Sequence, residues 1–229
     1  MQALPPQTPA AAAAPEPLAR LLLQWGVAPV AAAPVPERLG GWLGWADAIA
    51  LSQVLTTAPG TAADAAARRE ALDWAHAALD RLQAEAAAGF DDAELARDAV
   101  EPAPEGVPLA DLLAPFRLHH SQQQRAMAAR IATLRERLRP RLAEASGPLA
   151  RLAQLDAVFE RALAAQERSQ LAGLAALLGR RAEAHHAADA RGWRRRLWAD
   201  LQRLLRAELD LRLQPVLGLI EALHDDRPR

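Results

Sequence analysis

The sequence predicts an all-α fold: an elongated helical bundle with a long antiparallel helical hairpin and a long C-terminal helix. Three observations predict it. In Trp193–Leu223 the residues Trp198, Leu201, Leu205, Leu209, Leu213, Val216, Ile220 and Leu223 recur at steps of three or four, which makes one apolar stripe along a helix. Two more long stripes, Leu109–Ala145 and Leu149 to about Ala188, are joined only by Ser146-Gly147-Pro148, a connection short enough to force an antiparallel hairpin. The 31 residues of the last stripe would span roughly 45 Å at 1.5 Å per residue, and only another long helix covers that length.

Composition narrows the rest. Hydrophobic residues make up 51% of the 229, but much of that is alanine, which favours helices and buries little area. Aromatics are 4%, so Leu and Trp must supply most of the packing volume. There is no Lys, Asn, Tyr or Cys; an Arg-only, Ala-rich chain matches a GC-rich coding background. Without Cys there is no disulfide and no thiol catalysis, and a reducing compartment is permitted. No run of about 18 apolar residues offers a membrane span. The start, MQALPPQTPAAAAAP, lacks a basic region and is broken by proline, so it does not read as a secretory signal and the cytoplasm is expected. Charge is uneven. Residues 63–111 hold 4 Arg and 12 Asp/Glu, a net of −8, whereas residues 117–212 hold 19 Arg and 10 Asp/Glu, a net of +9. Mutual attraction inside the fold is the favoured use of that asymmetry.

In chain order, residues 1–15 form a Pro/Ala-rich tail expected to be disordered. Residues 16–100 hold the N-terminal helices. Pro17 suits a first turn leading into Leu18–Trp25, which Gly26 stops. A helix over about Pro36–Thr57 carries Gly40, Gly41 and Gly44 around Trp42 and Trp45, a pattern predicting close helix packing. Ala58–Asp64 breaks the chain, and Asp64 caps a helix running to about Ala88 that Gly89 ends. Its apolar face is Leu72, Ala75, Leu79, Leu82 and Ala86. A short acidic helix, Asp92–Val100, leads to the acidic, Pro-rich linker 101–108. Residues 109–229 form the long-helix bundle, with 36–100 packed on it as one domain. Pro115 should kink or delay the start of Leu109–Ala145, Gly147 should end that helix, and Pro215 should bend the last one.

Residues that carry chemistry are sparse. His119–His120 and His185–His186 are sequence neighbours and point to different helix faces. His185 with Asp189, and Asp73 with His76 and Asp80, read as surface ion pairs, as does Glu208 with Arg212. No HExxH, GxSxG or phosphate-binding loop occurs, so neither a cofactor nor a metal is expected. The informative residues are polar ones on apolar stripes. His120 and Gln124 interrupt one, and Asp156 lies between Leu152 and Phe159 on another. A buried Asp156 needs a donor, and Arg135 or Arg139 across the hairpin can supply it. A register-setting layer is the first reading, in which Asp156→Leu is neutral or stabilising; a partner-binding seam is the second. Arg191, Arg194, Arg195 and Arg196 around Trp193 and Trp198 are the candidate nucleic-acid contacts, with Arg for phosphate and Trp for base stacking.

The blocks RLGGWLGWADAIALSQVL (Arg38–Leu55), QQRAMAARIATLRERLR (Gln123–Arg139), LAQLDAVFERALAAQER (Leu152–Arg168) and AELDLRLQPVLGLIEAL (Ala207–Leu223) together resemble a proteobacterial family catalogued as domain of unknown function 3348. None is a catalytic signature, and the resemblance transfers no active-site residue. It implies a cytoplasmic helical protein with an accessory role beside an envelope complex, because genes of such proteins often stand beside those of membrane and peptidoglycan-binding proteins. The expected function is therefore a non-enzymatic scaffold or adaptor acting through protein–protein interaction, with a protein partner, a membrane or envelope complex, or a second copy as its target. A nucleic-acid-binding helical protein is the alternative.

Overall fold

Local chemistry decides where each helix starts and stops. A computed structural model describes residues 17–28, 35–56 and 64–226; the expected tail 1–15 and, apart from Asp64, the expected break 58–64 lie outside the described residues. Among these are α1 (Pro17–Gln24), α2 (Val35–Trp42), α3 (Trp45–Thr56), α4 (Ala65–Phe90), α5 (Ala93–Val100), α6 (Leu109–Ala145), α7 (Gly147–Ala188) and α8 (Trp193–Asp225). Asp64 accepts the N–H groups of Ala66 at 2.8 Å and Ala67 at 3.1 Å, and Asp92 does the same for Glu94 and Leu95, satisfying donors that a helix start leaves free. Gly26, with φ 78°, turns the chain out of α1 in the left-handed conformation glycine adopts at no steric cost.

Five local expectations need correction. The helix expected over 36–57 is two helices, interrupted at Leu43–Gly44, where the Gly44 N–H donates to Asp47 at 3.1 Å as half of a capping box. Its glycines do not admit large side chains: a Cβ on Gly40 or Gly41 would meet nothing within 4 Å, and Trp45 is 83% exposed. Gly89 does not stop α4, which runs on to Phe90; a Cβ there would come 3.0 Å from Gln123, so this glycine permits close approach to α6. Ser146, not Gly147, makes the hairpin turn. Its N–H donates to the Leu142 carbonyl and its Oγ accepts from Leu149, so one residue closes α6 and opens α7. Pro115 does not delay α6, which also passes through Pro140, as α8 passes through Pro215.

Tertiary pairings fix the topology. Residues equidistant from Ser146 meet, Arg135 with Asp156 near the turn and Leu113 with Gly179 farther out, so α6 and α7 are antiparallel. α8 then returns along α7, with Arg181 beside Asp200 and Arg212 beside Glu167. α4 is the fourth long member. It starts where α6 and α8 end, the Asp64 N–H donating to the Ala145 carbonyl at 2.9 Å and Arg68 to the Asp226 carbonyl at 2.8 Å. At its other end the Phe90 carbonyl accepts from His119 of α6 and Gln202 of α8. α4 therefore packs on α6 and α8, and α7 packs on the same two. α1 and α5 lie on α8, and α2 and α3 lie on α7. Trp193, Phe116, Phe90, Met127 and a ladder of Leu residues fill the centre. α3 adds nothing to that core.

Because α8 supplies the middle of the core, Leu201→Ala (0% exposed) should lower unfolding free energy by about 2–5 kcal/mol. Leu118→Ala, at a side chain 57% exposed, should stay within about 0.5 kcal/mol. Urea denaturation of the two variants checks both.

Candidate functional site

A charged side chain inside a helical bundle persists only where protein donors replace its hydration. Three carboxylates meet that condition here. Glu208 of α8 has no solvent exposure. His120 Nε2 lies 3.2 Å from its Oε2, Gln124 Nε2 donates at 3.0 and 3.2 Å, and Arg212 donates through Nε at 2.9 Å and Nη2 at 2.7 Å. Burial opposes the charge, but the hydrogen bond from His120 and the adjacent Arg212 guanidinium outweigh it and hold the carboxyl below its ordinary 4.5. Glu208 is thus ionised and can only accept, which places the His120 proton on Nε2; Nδ1 is buried without a partner. Arg212 continues the network to Glu167 of α7. The i,i+4 pair Glu208–Arg212 read as a solvated face is therefore an interior pair, because Leu201, Leu204 and Glu208 share one stripe of α8.

Asp200 sits nearer the α7–α8 turn, with its side chain 1% exposed. Arg181 Nε and His185 Nε2 each lie 2.8 Å from it, and Arg203 pairs with its other oxygen. Here too burial resists ionisation, and the hydrogen bonds from His185 and Arg181 overcome it and lower the pKa. His185 consequently does not ion-pair with Asp189. That carboxylate instead accepts the N–H groups of Arg191 and Gly192 and pairs with Arg196 at 2.6 Å, shaping the turn into α8. Asp156 is buried where the sequence placed it, and both expected partners reach it: Arg135 Nη2 at 2.6 Å and Arg139 Nε at 2.8 Å. Glu160 pairs with the same two arginines.

The sequence-predicted residues thus separate. Gln124 and Asp156 belong to two different buried networks. Arg191, Arg194, Arg195 and Arg196 do not form one basic surface: Arg194 is buried, Arg196 is tied to Asp189, and Arg191 and Arg195 remain exposed. Trp193 is fully buried against Phe116 and His186, and Trp198 packs on His119 at 5.8 Å, so both indoles serve the core. Helices α4 and α5 of the acidic part pack on α6 and α8 of the basic part, with Glu85 paired to Arg130 and Asp92 lying 3.6 Å from His119. Among the described residues no group of three or more His, Asp or Glu is placed to hold a metal ion. Sequence reasoning missed Asp200 and Glu208; their position on the α8 stripe, at steps of three and four from Leu197, Leu201 and Leu204, is the signal that finds them.

Three of the exposed large apolar side chains lie on α3. None of its residues is buried, and Trp45 (83%), Ile49 (45%) and Leu55 (60%) stand open to solvent although the helix rests on α7. Asp47 is its one charged residue. A family model described as "Protein of unknown function (DUF3348)" matches residues 1–225. No curated protein and no solved structure matches the chain.

Two outcomes follow from the networks. Asp156→Leu should cost about 3 kcal/mol in urea unfolding rather than being neutral, since Arg135 would lose its closest anion while staying buried. The depressed pKa values of Glu208 and Asp200 mean that their contribution is complete above the ordinary carboxyl values of 4.5 and 3.8 and is lost as pH falls through the lower folded values. Unfolding free energy should therefore drop on acidification below that range, and Glu208→Gln should flatten the drop.

Proposed function

The chain belongs to the DUF3348 family, whose description names no activity, and from its own geometry we propose a non-enzymatic cytoplasmic scaffold or adaptor that acts through protein–protein interaction beside an envelope-associated complex. The observation carrying this reading is α3, an apolar helix that lies on α7 yet buries none of its own residues. Exposed apolar surface of this kind marks interaction sites. Trp45, Ile49 and Leu55 are the residues assigned to the interface, Trp45 being the aromatic anchor. A protein partner suits the face better than anionic lipid does, because α2 and α3 carry Glu37, Arg38 and Asp47 and so have no positive excess.

The non-enzymatic part rests on the buried acids: their oxygens are occupied by protein donors, and two surface grooves, along α4 and α6, are lined by other residues. A cytoplasmic setting accords with a chain free of cysteine. No described helix is long and apolar enough to cross a membrane. Nucleic-acid binding draws less support, with Arg194 and Trp193 buried and Arg196 paired.

The test compares affinity capture from native cells for the unaltered chain and for Trp45→Ser combined with Leu55→Ser. The variant should unfold within about 0.5 kcal/mol of the original and lose a stoichiometric partner that otherwise survives nuclease and moderate salt. Unchanged capture would remove α3 as the interface. A strictly monomeric chain that retains no protein would remove the scaffold reading altogether.

A further inference from the structure

A second feature, independent of α3, lies where α4 and α6 run side by side. Small residues Ala77, Ala78 and Ala129 keep the two helices from filling the space between them, leaving an open groove of about 400 Å³. Its floor is Leu82 and Leu134, and Trp74 borders it with Arg141 stacked on the indole at 3.8 Å. The rim carries Arg81, Arg130 and Arg137 against a single carboxylate, Glu85, which is 3.7 Å from Arg130 Nε.

Those arginines make few contacts within the protein, Arg81 and Arg137 being exposed to solvent. Arg130 Nη1 is buried with no acceptor, and the guanidinium groups of Arg81 and Arg137 have no partner among the described residues. A buried donor without an acceptor asks for an explanation, and a rim with a surplus of two positive charges over an apolar floor supplies one. Guanidinium groups pair in a planar, two-pronged fashion with carboxylate and phosphate. The volume lies within the range of small-molecule sites. The groove spans Trp74 to Glu85 on α4, roughly 16 Å at 1.5 Å per residue. That is short for a docked helix of the size a stable protein interface requires.

We propose that the α4–α6 groove binds a small anionic amphiphile, with its carboxylate or phosphate head on Arg130, Arg81 and Arg137 and its apolar body along Ala77, Leu82 and Leu134. The head draws Arg130 from its loose pairing with Glu85, and the chain replaces water on the floor.

Isothermal titration of the full chain with dodecanoate, dodecyl phosphate and dodecanol, each below its aggregation threshold, tests this. One equivalent of at least one anion should bind, with dodecanol weaker by about tenfold or more, equivalent to about 1.4 kcal/mol. The tighter anion distinguishes a free-acid source from a phosphate-bearing one. Arg130→Gln should weaken the anion by about tenfold, and Ala77→Leu, which fills the groove without touching the rim, should do likewise. Both variants should keep the original unfolding midpoint. Equal affinity for dodecanol, no binding by either anion, or unchanged affinity in well-folded Arg130→Gln and Ala77→Leu would overturn the proposal. So would an acidic amphipathic peptide that saturates the groove when neither anion binds.

Discussion

At the α6–α8 contact in the bundle interior stands an ionised Glu208 with no access to water. A carboxylate there is tolerable only if donors converge on it from several directions, and they do: His120 and Gln124 come from α6, and Arg212 comes from α8 itself and links onward to α7. Sliding α8 by one turn along α6 would leave the charge without two of its donors while the leucines around it could still find apolar neighbours. Apolar packing gives the helices a reason to associate. The carboxylate gives them a reason to stop at one position.

The same device is used once at each contact among the three longest helices. Asp156 joins α7 to α6, Asp200 joins α8 to α7, and Glu208 joins α8 to α6. Along α8, Asp200 and Glu208 are eight residues apart, roughly 12 Å, so the layers are staggered rather than stacked. Each acid is answered by arginine, whose fixed fork of donors constrains angle as well as distance. A Leu-rich, Ala-rich interior has few shape differences by which one helix pair could be told from another, and three separate charged layers supply the missing distinctions.

Much of this was legible in the sequence, and the misses have physical causes. The stripe over Leu109–Ala145 and the Asp64 cap appear in the structure at those residues, because helix periodicity and N-terminal capping are local properties. Asp156 with Arg135 and Arg139 was legible too, since a short antiparallel connection fixes which residues face each other. Glu208 was not, because Glu and Arg four apart look alike on a surface and in a core until the neighbouring helix is known. Gly89 misled for the same reason: what ends α4 is the capture of the Phe90 carbonyl by His119 and Gln202, residues far away in the chain. The α3 face and the α4–α6 groove depend on what does not pack, which no single stripe records.

The seating of α1 and α4 on α8 has a bearing on biosynthesis. The α6–α7 hairpin consists of adjacent segments, and its internal pairs, such as Arg135 with Asp156, can form as soon as α7 exists. α4, by contrast, is anchored at one end by Asp226 and at the other by Gln202, and α1 rests on α8. A ribosome makes α1 and α4 first and α8 last, so the earliest apolar faces wait longest for their cover. During that interval Leu18 and Leu21 of α1 are available to chaperones or to one another on neighbouring nascent chains.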